Sequence, residues 1–264
     1  MEPDFKGITE AILRWGHVIA GITWIGHLYF FNWVNGPFAA TLDKETKPKV
    51  VPELMPRALF WFRWGAAWTW ITGVLLGGLV FWMNKTTMFT AWGESNVAPG
   101  WTAASGALVA LVLIAPFLYD AICKSGLGKS NQTLAIVGVV LMGGLLYAYQ
   151  QLGSFSYRAS LIHMGATFGT IMAYNVWFRI WPLQKKIIAA VKSGQAPDQS
   201  WPAVAGARSK HNTYMSVPLV YGMLNAHMST LAIGPWPLTP VLAIVVGWLF
   251  VQWCYKKAAT VKGF

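Results

Sequence analysis

Residues 14–30 read RWGHVIAGITWIGHLYF, an arginine and two histidines set in an apolar, aromatic run long enough to enter a bilayer. A transmembrane helix needs about 20 mostly apolar residues, and ionisable groups inside one are costly enough to imply a task. Outward from this run, stretches of the same kind recur at 12–35, 58–83, 101–122, 132–152, 159–183, 212–232 and 238–257. The spacing predicts an all-α fold, a polytopic transmembrane helix bundle of seven spans forming one integral membrane domain over residues 1–264. Composition agrees: 55% of the 264 residues are hydrophobic and 11% charged, against about 25% charged in a soluble domain. No polar block is large enough to fold alone. The segment from Pro235 to Pro240 reads as a tight re-entry turn, and QKKIIAAVKSGQAPDQSWPAVAGARSK, residues 184–210, as a loop that first extends the fifth helix.

The excess of 20 Lys+Arg over 9 Asp+Glu, a net charge of +11, would suggest nucleic acid in a soluble protein. Here the basic residues sit in short segments between apolar runs, so they read as a topology signal, and no nucleic-acid partner is expected. They gather in 44–63, 124–129, 179–210 and 256–262, against Lys6, Arg14, Lys85 and Arg158 on the opposite side. The positive-inside rule then places the N-terminus outside and the C-terminus in the cytoplasm, as in a multi-pass protein of the bacterial inner (cytoplasmic) membrane. The lipid bilayer is its first partner. Cys123 and Cys254 stand far apart, and no C-x-x-C-H occurs, which argues against a disulfide framework and against c-type haem. The opening MEPDFKGITEAILRW lacks the marks of a signal peptide, so the first helix is expected to stay.

At about 1.5 Å rise per residue, His17, His163 and His227 fall at a similar outer level on spans one, five and six. Histidines facing one another between helices suit the axial ligation of b-type haem, with copper as the alternative metal. His17, His163 and His227 are therefore the candidate ligands, with His211 a weaker one. His27 lies about 15 Å deeper than His17, and His211 about 24 Å from His227, so neither shares a centre with the other member of its pair. Gly16, Gly21 and Gly26, and Gly165 and Gly169, either shape a slot for the macrocycle or let bare helices pack closely. Helix glue by hydrogen bonding stays open for each histidine. Arg14 either pairs with Glu10, four residues earlier, or joins Arg158 in binding haem propionates or an anionic substrate. Arg63 and Arg179 read as snorkelling side chains, Asp120 and Lys124 as a boundary pair, and Asn212, Tyr214 and Asn225 as interhelical hydrogen-bonders.

RWGHVIAGITWIGHLYF, HMGATFGTIMAYNVWFRIWPLQKKI and ARSKHNTYMSVPLVYGMLNAHM resemble the membrane domain of the bacterial urate oxidases, the urate oxidase N-terminal domain family, in order along nearly the whole chain. The resemblance implies a multi-helix membrane domain that takes part in urate oxidation, with electrons leaving through haem, and picks out His17, His163, His211 and His227. It demotes His27, which stands where a small or aliphatic residue is expected. The family's membrane domain is followed by a cytochrome c domain. With no C-x-x-C-H here, electrons are expected to pass to a separate cytochrome c or a quinone. The function expected is that of a membrane redox protein in urate (purine) oxidation, an oxidoreductase if an enzyme. The alternative is a non-catalytic subunit or assembly factor of a larger membrane respiratory complex.

Overall fold

A computed structural model of the chain describes residues 4–90, 100–227 and 235–261. Among these residues the structure is helical, with no strand. Helix starts follow from short polar side chains that satisfy the free N–H groups of a first turn. The Asp4 carboxylate accepts the Gly7 N–H at 2.9 Å and opens α1, Phe5–Tyr29. The chain passes through Phe30–Asn35 into α2, Gly36–Thr41, which has a proline in its first turn. Asp43 accepts the Glu45 and Thr46 N–H groups at 2.8 and 2.7 Å ahead of α3, Lys47–Leu76, and Asn84 caps the short α4, Lys85–Phe89. Thr102 and Ser105 form a capping box on α5, Ala103–Lys124, and Ser130 caps α6, Asn131–Gln151. Ser156 Oγ accepts the Ala159 N–H at 3.0 Å at the start of α7, Tyr157–Tyr174. This helix runs through Asn175–Ile180 into α8, Trp181–Lys192. Gly194, at φ +72°, takes the left-handed conformation in the turn that follows, and Asp198 receives the Ser200 N–H at 2.8 Å as α9, Ser200–Asn225, begins. The last helix, α10, is Leu238–Ala258.

Three of these helical runs are interrupted by π-helical turns, Phe30–Asn35, Gly77–Trp82 and Asn175–Ile180. Their i to i+5 bonding is explicit: Gly36 N–H reaches Phe31 O, Met83 N–H reaches Gly78 O and Trp181 N–H reaches Val176 O. Such turns are rare and cluster at functional sites.

Large apolar side chains face outward along the helices, for example Leu113 and Phe117 on α5, Ile136 and Val140 on α6, and Val246 and Trp253 on α10. Small polar residues are fully buried instead, among them Ser105, Ser160, Asn175, Asn212 and Ser216. Water would penalise such a surface, whereas hydrocarbon favours it. Four described segments, Lys47–Trp82, Ala103–Lys124, Asn131–Gln151 and Leu238–Ala258, are long and apolar enough to cross a membrane. The other three sequence candidates also fall on helices, the sixth only as far as Asn225.

The chain divides into two compact units, one made of Met1–Glu10, Gly73–Ile171 and Ser216–Trp248, the other of Ala11–Thr72, Met172–Met215 and Leu249–Phe264. In the first, a Cβ on Gly222 of α9 would lie 2.8 Å from Leu161 O of α7, and one on Gly165 would lie 2.9 Å from Met223 Cε. Gly165 therefore serves close helix packing. In the second, a Cβ on Gly65 of α3 would meet Trp24 N of α1 at 3.0 Å, beside the buried Trp24, Leu28 and Phe62.

Two boundaries differ from the sequence reading. The first helix starts at Phe5, because Asp4 supplies a cap that an apolar-run criterion does not register. The sixth candidate, read as 212–232, lies on a helix that begins at Ser200 and ends at Asn225; residues 228–234 lie outside the described residues. The expected extension of the fifth helix is present as α8, and Asp120 pairs with Lys124 at 2.7 Å.

Candidate functional site

His163 is the most enclosed of the histidines, 2% exposed on α7. Its Nδ1 lies 2.7 Å from Ala159 O, one turn back, and its Nε2 lies 3.1 Å from Trp82 Nε1. A carbonyl only accepts and an indole N–H only donates. The proton therefore sits on Nδ1, and Nε2 is the acceptor: a neutral imidazole held in one tautomer. Trp82 reaches it from the end of the π turn Gly77–Trp82. Phe155 and Phe81 complete the enclosure, with ring centroids 4.9 and 6.1 Å from the imidazole. Tyr149 stacks on Phe155 at 5.1 Å. Its hydroxyl donates to Thr167 Oγ1 at 3.2 Å, and Thr167 in turn donates to His163 O at 2.7 Å.

An axial haem ligand or a metal ligand needs a ring nitrogen with a free lone pair. His163 has its one lone pair committed to Trp82 and its one N–H committed to Ala159, so it does not fit that role in this arrangement. Among the described residues, no group of three or more His, Cys, Asp or Glu side chains is placed to hold a metal ion.

The remaining sequence candidates are shared between the two units. Arg158, His163 and His227 belong to the first unit, and Arg14, His17, His27 and His211 to the second. His227 lies beyond the end of α9, exposed, in a turn closed by its N–H to Leu224 O at 3.3 Å. Its expected position inside the sixth span is thus corrected: the last turn tightens to i to i+3 bonding and the helix stops before it. His17 has Nδ1 3.1 Å from Thr72 Oγ1, joining α1 to α3. His27 has Nδ1 2.7 Å from Thr23 O, a contact within its own helix. His211 is half-buried on α9, Arg14 is half-buried on α1, and the Arg158 guanidinium lies 5.6 Å over the Phe81 ring. The Arg63 guanidinium stacks 4.1 Å over Trp181, and Arg179 donates to the Tyr174 hydroxyl at 3.2 Å. Asn212 ties helices together, accepting from Asn175 Nδ2 at 2.8 Å and donating to Met172 O at 3.0 Å. Asn225 bonds within its helix, to Tyr221 O.

The second unit holds a cavity of about 260 Å³ that the sequence reading missed. Its polar lining comes from Asn32, Asn35, Gln184 and Ser209, and its apolar lining includes Phe31 and Phe62, whose rings meet edge to face at 5.3 Å. Two π turns border it. Phe30–Asn35 supplies Phe31, Asn32 and Asn35, and Asn175–Ile180 supplies Ile180, one turn before Gln184.

Asn32 is fully used. Its Nδ2 donates to Leu28 O and Ser209 Oγ, each at 2.9 Å, and its Oδ1 accepts from the Tyr255 hydroxyl at 2.8 Å. Asn35 bonds only weakly, Nδ2 standing 3.5 Å from the Met55 thioether. The Gln184 amide has no hydrogen-bond partner among the described residues, although it lines the cavity. The signal available in sequence was the pair Asn32 and Asn35 closing an apolar run, with Gln184 before Lys185 and Lys186. Amides at helix ends are ordinary enough to pass unnoticed.

Among protein families, the model described as urate oxidase N-terminal matches residues 39–262. The match includes Arg158, His163, Gln184, Ser209, His211 and His227, and starts after Arg14, His17, His27, Asn32 and Asn35. Neither the curated proteins nor the solved structures provide a match.

Proposed function

Because the chain belongs to the urate oxidase N-terminal family, we propose that it is a membrane component of urate oxidation. It lies in the bacterial inner membrane with seven spans and the N-terminus outside, and passes electrons to a separate cytochrome c or a quinone. The observation that carries this reading is the family match over residues 39–262, together with helices apolar enough to cross a membrane. In this role the protein binds and orients the purine while the acceptor takes the electrons. His163 contributes as a neutral, immobile part of the scaffold. Haem b, or copper as the alternative, falls in this reading to His17, His227 or His211, since both ring nitrogens of His163 are engaged.

The test is anaerobic incubation of detergent-purified protein with urate and either oxidised cytochrome c or a soluble quinone, following loss of the urate absorption band. Urate loss matched by acceptor reduction is the expected result. Intact urate with both acceptors, in folded protein, overturns the catalytic role. A second reading, a non-catalytic subunit or assembly factor of a larger membrane complex, is favoured by the same locked imidazole. It predicts co-purification of further membrane subunits and no turnover by the isolated chain.

A further inference from the structure

We infer that the cavity lined by Asn35, Gln184 and Ser209 binds a small planar heterocycle through an edge of adjacent ring N–H and C=O groups. This deepens the proposed function, since urate is one such lactam, but the chemistry of the cavity stands without it. An amide side chain presents an acceptor and donors in one plane, which is the complement of a lactam edge. Among the described residues Gln184 has no hydrogen-bond partner, and Asn35 has only a thioether. Ser209 Oγ accepts from Asn32 and keeps its own proton to donate.

Asn35 and Gln184 are half-buried at the cavity wall, where water or a ligand completes the bonding of their amides. The neighbouring Asn32 shows the contrast: every bond it can readily make is made within the protein, so it holds the wall while Asn35 and Gln184 face the space. Phe31 and Phe62 add apolar surface suited to the faces of a flat ring. At about 260 Å³ the space falls just under the roughly 300–1,000 Å³ of sites for drug-sized ligands. A one- or two-ring heterocycle fits, and a nucleotide does not. The π turns on both sides hold unusual backbone where it shapes this lining, a placement typical of binding sites.

The test measures binding without turnover, by equilibrium dialysis of detergent-purified full chain against labelled xanthine and labelled urate, with caffeine as competitor. Caffeine keeps the ring and carbonyls of xanthine but has methyl groups in place of lactam N–H groups. Two variants are chosen to leave the fold intact. Gln184→Leu removes an amide that no other described residue uses. Gly206→Leu adds bulk at a lining position where a Cβ meets nothing within 4 Å, and it raises helix propensity.

Saturable xanthine or urate binding is expected, weakened about tenfold by Gln184→Leu, the effect of one net hydrogen-bond pair, and abolished by Gly206→Leu. Absent binding, equal affinity in both cavity variants, or caffeine competing as well as unlabelled xanthine overturns the inference. Binding without urate consumption upholds the cavity and overturns only the oxidase reading. Urate consumption that both cavity variants leave untouched does the reverse.

Discussion

Replacing Trp82 by Phe deletes the indole donor to His163 Nε2 while keeping an aromatic ring in place. The imidazole cannot turn to find another partner, because Nδ1 is tied to Ala159 O at 2.7 Å and the ring is packed by Phe81, Tyr149 and Phe155. Leaving a buried acceptor unpaired costs about 1–3 kcal/mol, and the smaller ring adds some lost contact. A cycle with His163→Leu removes that packing contribution. In helical membrane proteins such cycles average about 0.6 kcal/mol and reach about 1.7. At 2% exposure, with no alternative partner among the described residues, the coupling here is expected in the upper half of that range. The assay is reversible unfolding in mixed detergent and sodium dodecyl sulfate, followed by far-ultraviolet circular dichroism for wild type, both single variants and the double variant. Coupling within the additivity error of about 0.3–0.5 kcal/mol would refute the locked tautomer. A parallel reduced-minus-oxidised spectrum sharpens the test. If a haem band is present, it survives His163→Leu; its loss in that variant alone would restore His163 as a ligand.

Gly222→Leu forces a side chain against Leu161 O, where even a Cβ would come within 2.8 Å; destabilisation of about 1–3 kcal/mol, seen as a lowered melting temperature in detergent, is expected, and wild-type stability would contradict the close packing of α7 and α9. Asn32→Leu removes three hydrogen bonds, among them the one its Oδ1 accepts from the Tyr255 hydroxyl, costing about 1–3 kcal/mol; a neutral effect in the same unfolding assay would deny Asn32 its place in the wall. The Thr46 N–H and hydroxyl, then the Glu45 N–H, hold the Asp43 carboxyl below the usual carboxylate range. A depressed value in the folded state stabilises the cap above the unfolded value of about 3.9 and loses that stabilisation as pH falls through the folded value. Amide protection at Glu45 and Thr46, corrected for intrinsic exchange, is expected to fall on acidification through that window, and Asp43→Asn to abolish the pH dependence; protection that is flat with pH would disprove the cap.

The helical membrane character was legible in the amino-acid order because it rests on local properties. An apolar run of span length has few alternatives to helix in hydrocarbon, and Ser, Thr and Asp before such runs supply caps. The Asp120–Lys124 pair and the extension of the fifth helix as α8 were legible for the same reason. The family was legible too, through motifs that keep their order over most of the chain.

The histidines were harder. Depth along a helix follows from residue number, but direction around it and the partner met there do not. His17, His163 and His227 look equivalent by offset, yet one bonds Thr72, one is held between Ala159 and Trp82, and one lies beyond the helix end. Neither Asn35 nor Gln184 carries any sequence mark of how little the described residues engage its amide; that follows only once those neighbours have been placed. Sequence alone determined which segments are helical and which solvent suits their surface, since both depend on neighbours within a turn or two. Tertiary structure decided which polar groups bond one another, since a hydrogen bond between helices joins residues far apart in sequence, 37 positions for Asn175 and Asn212 and 223 for Tyr255 and Asn32.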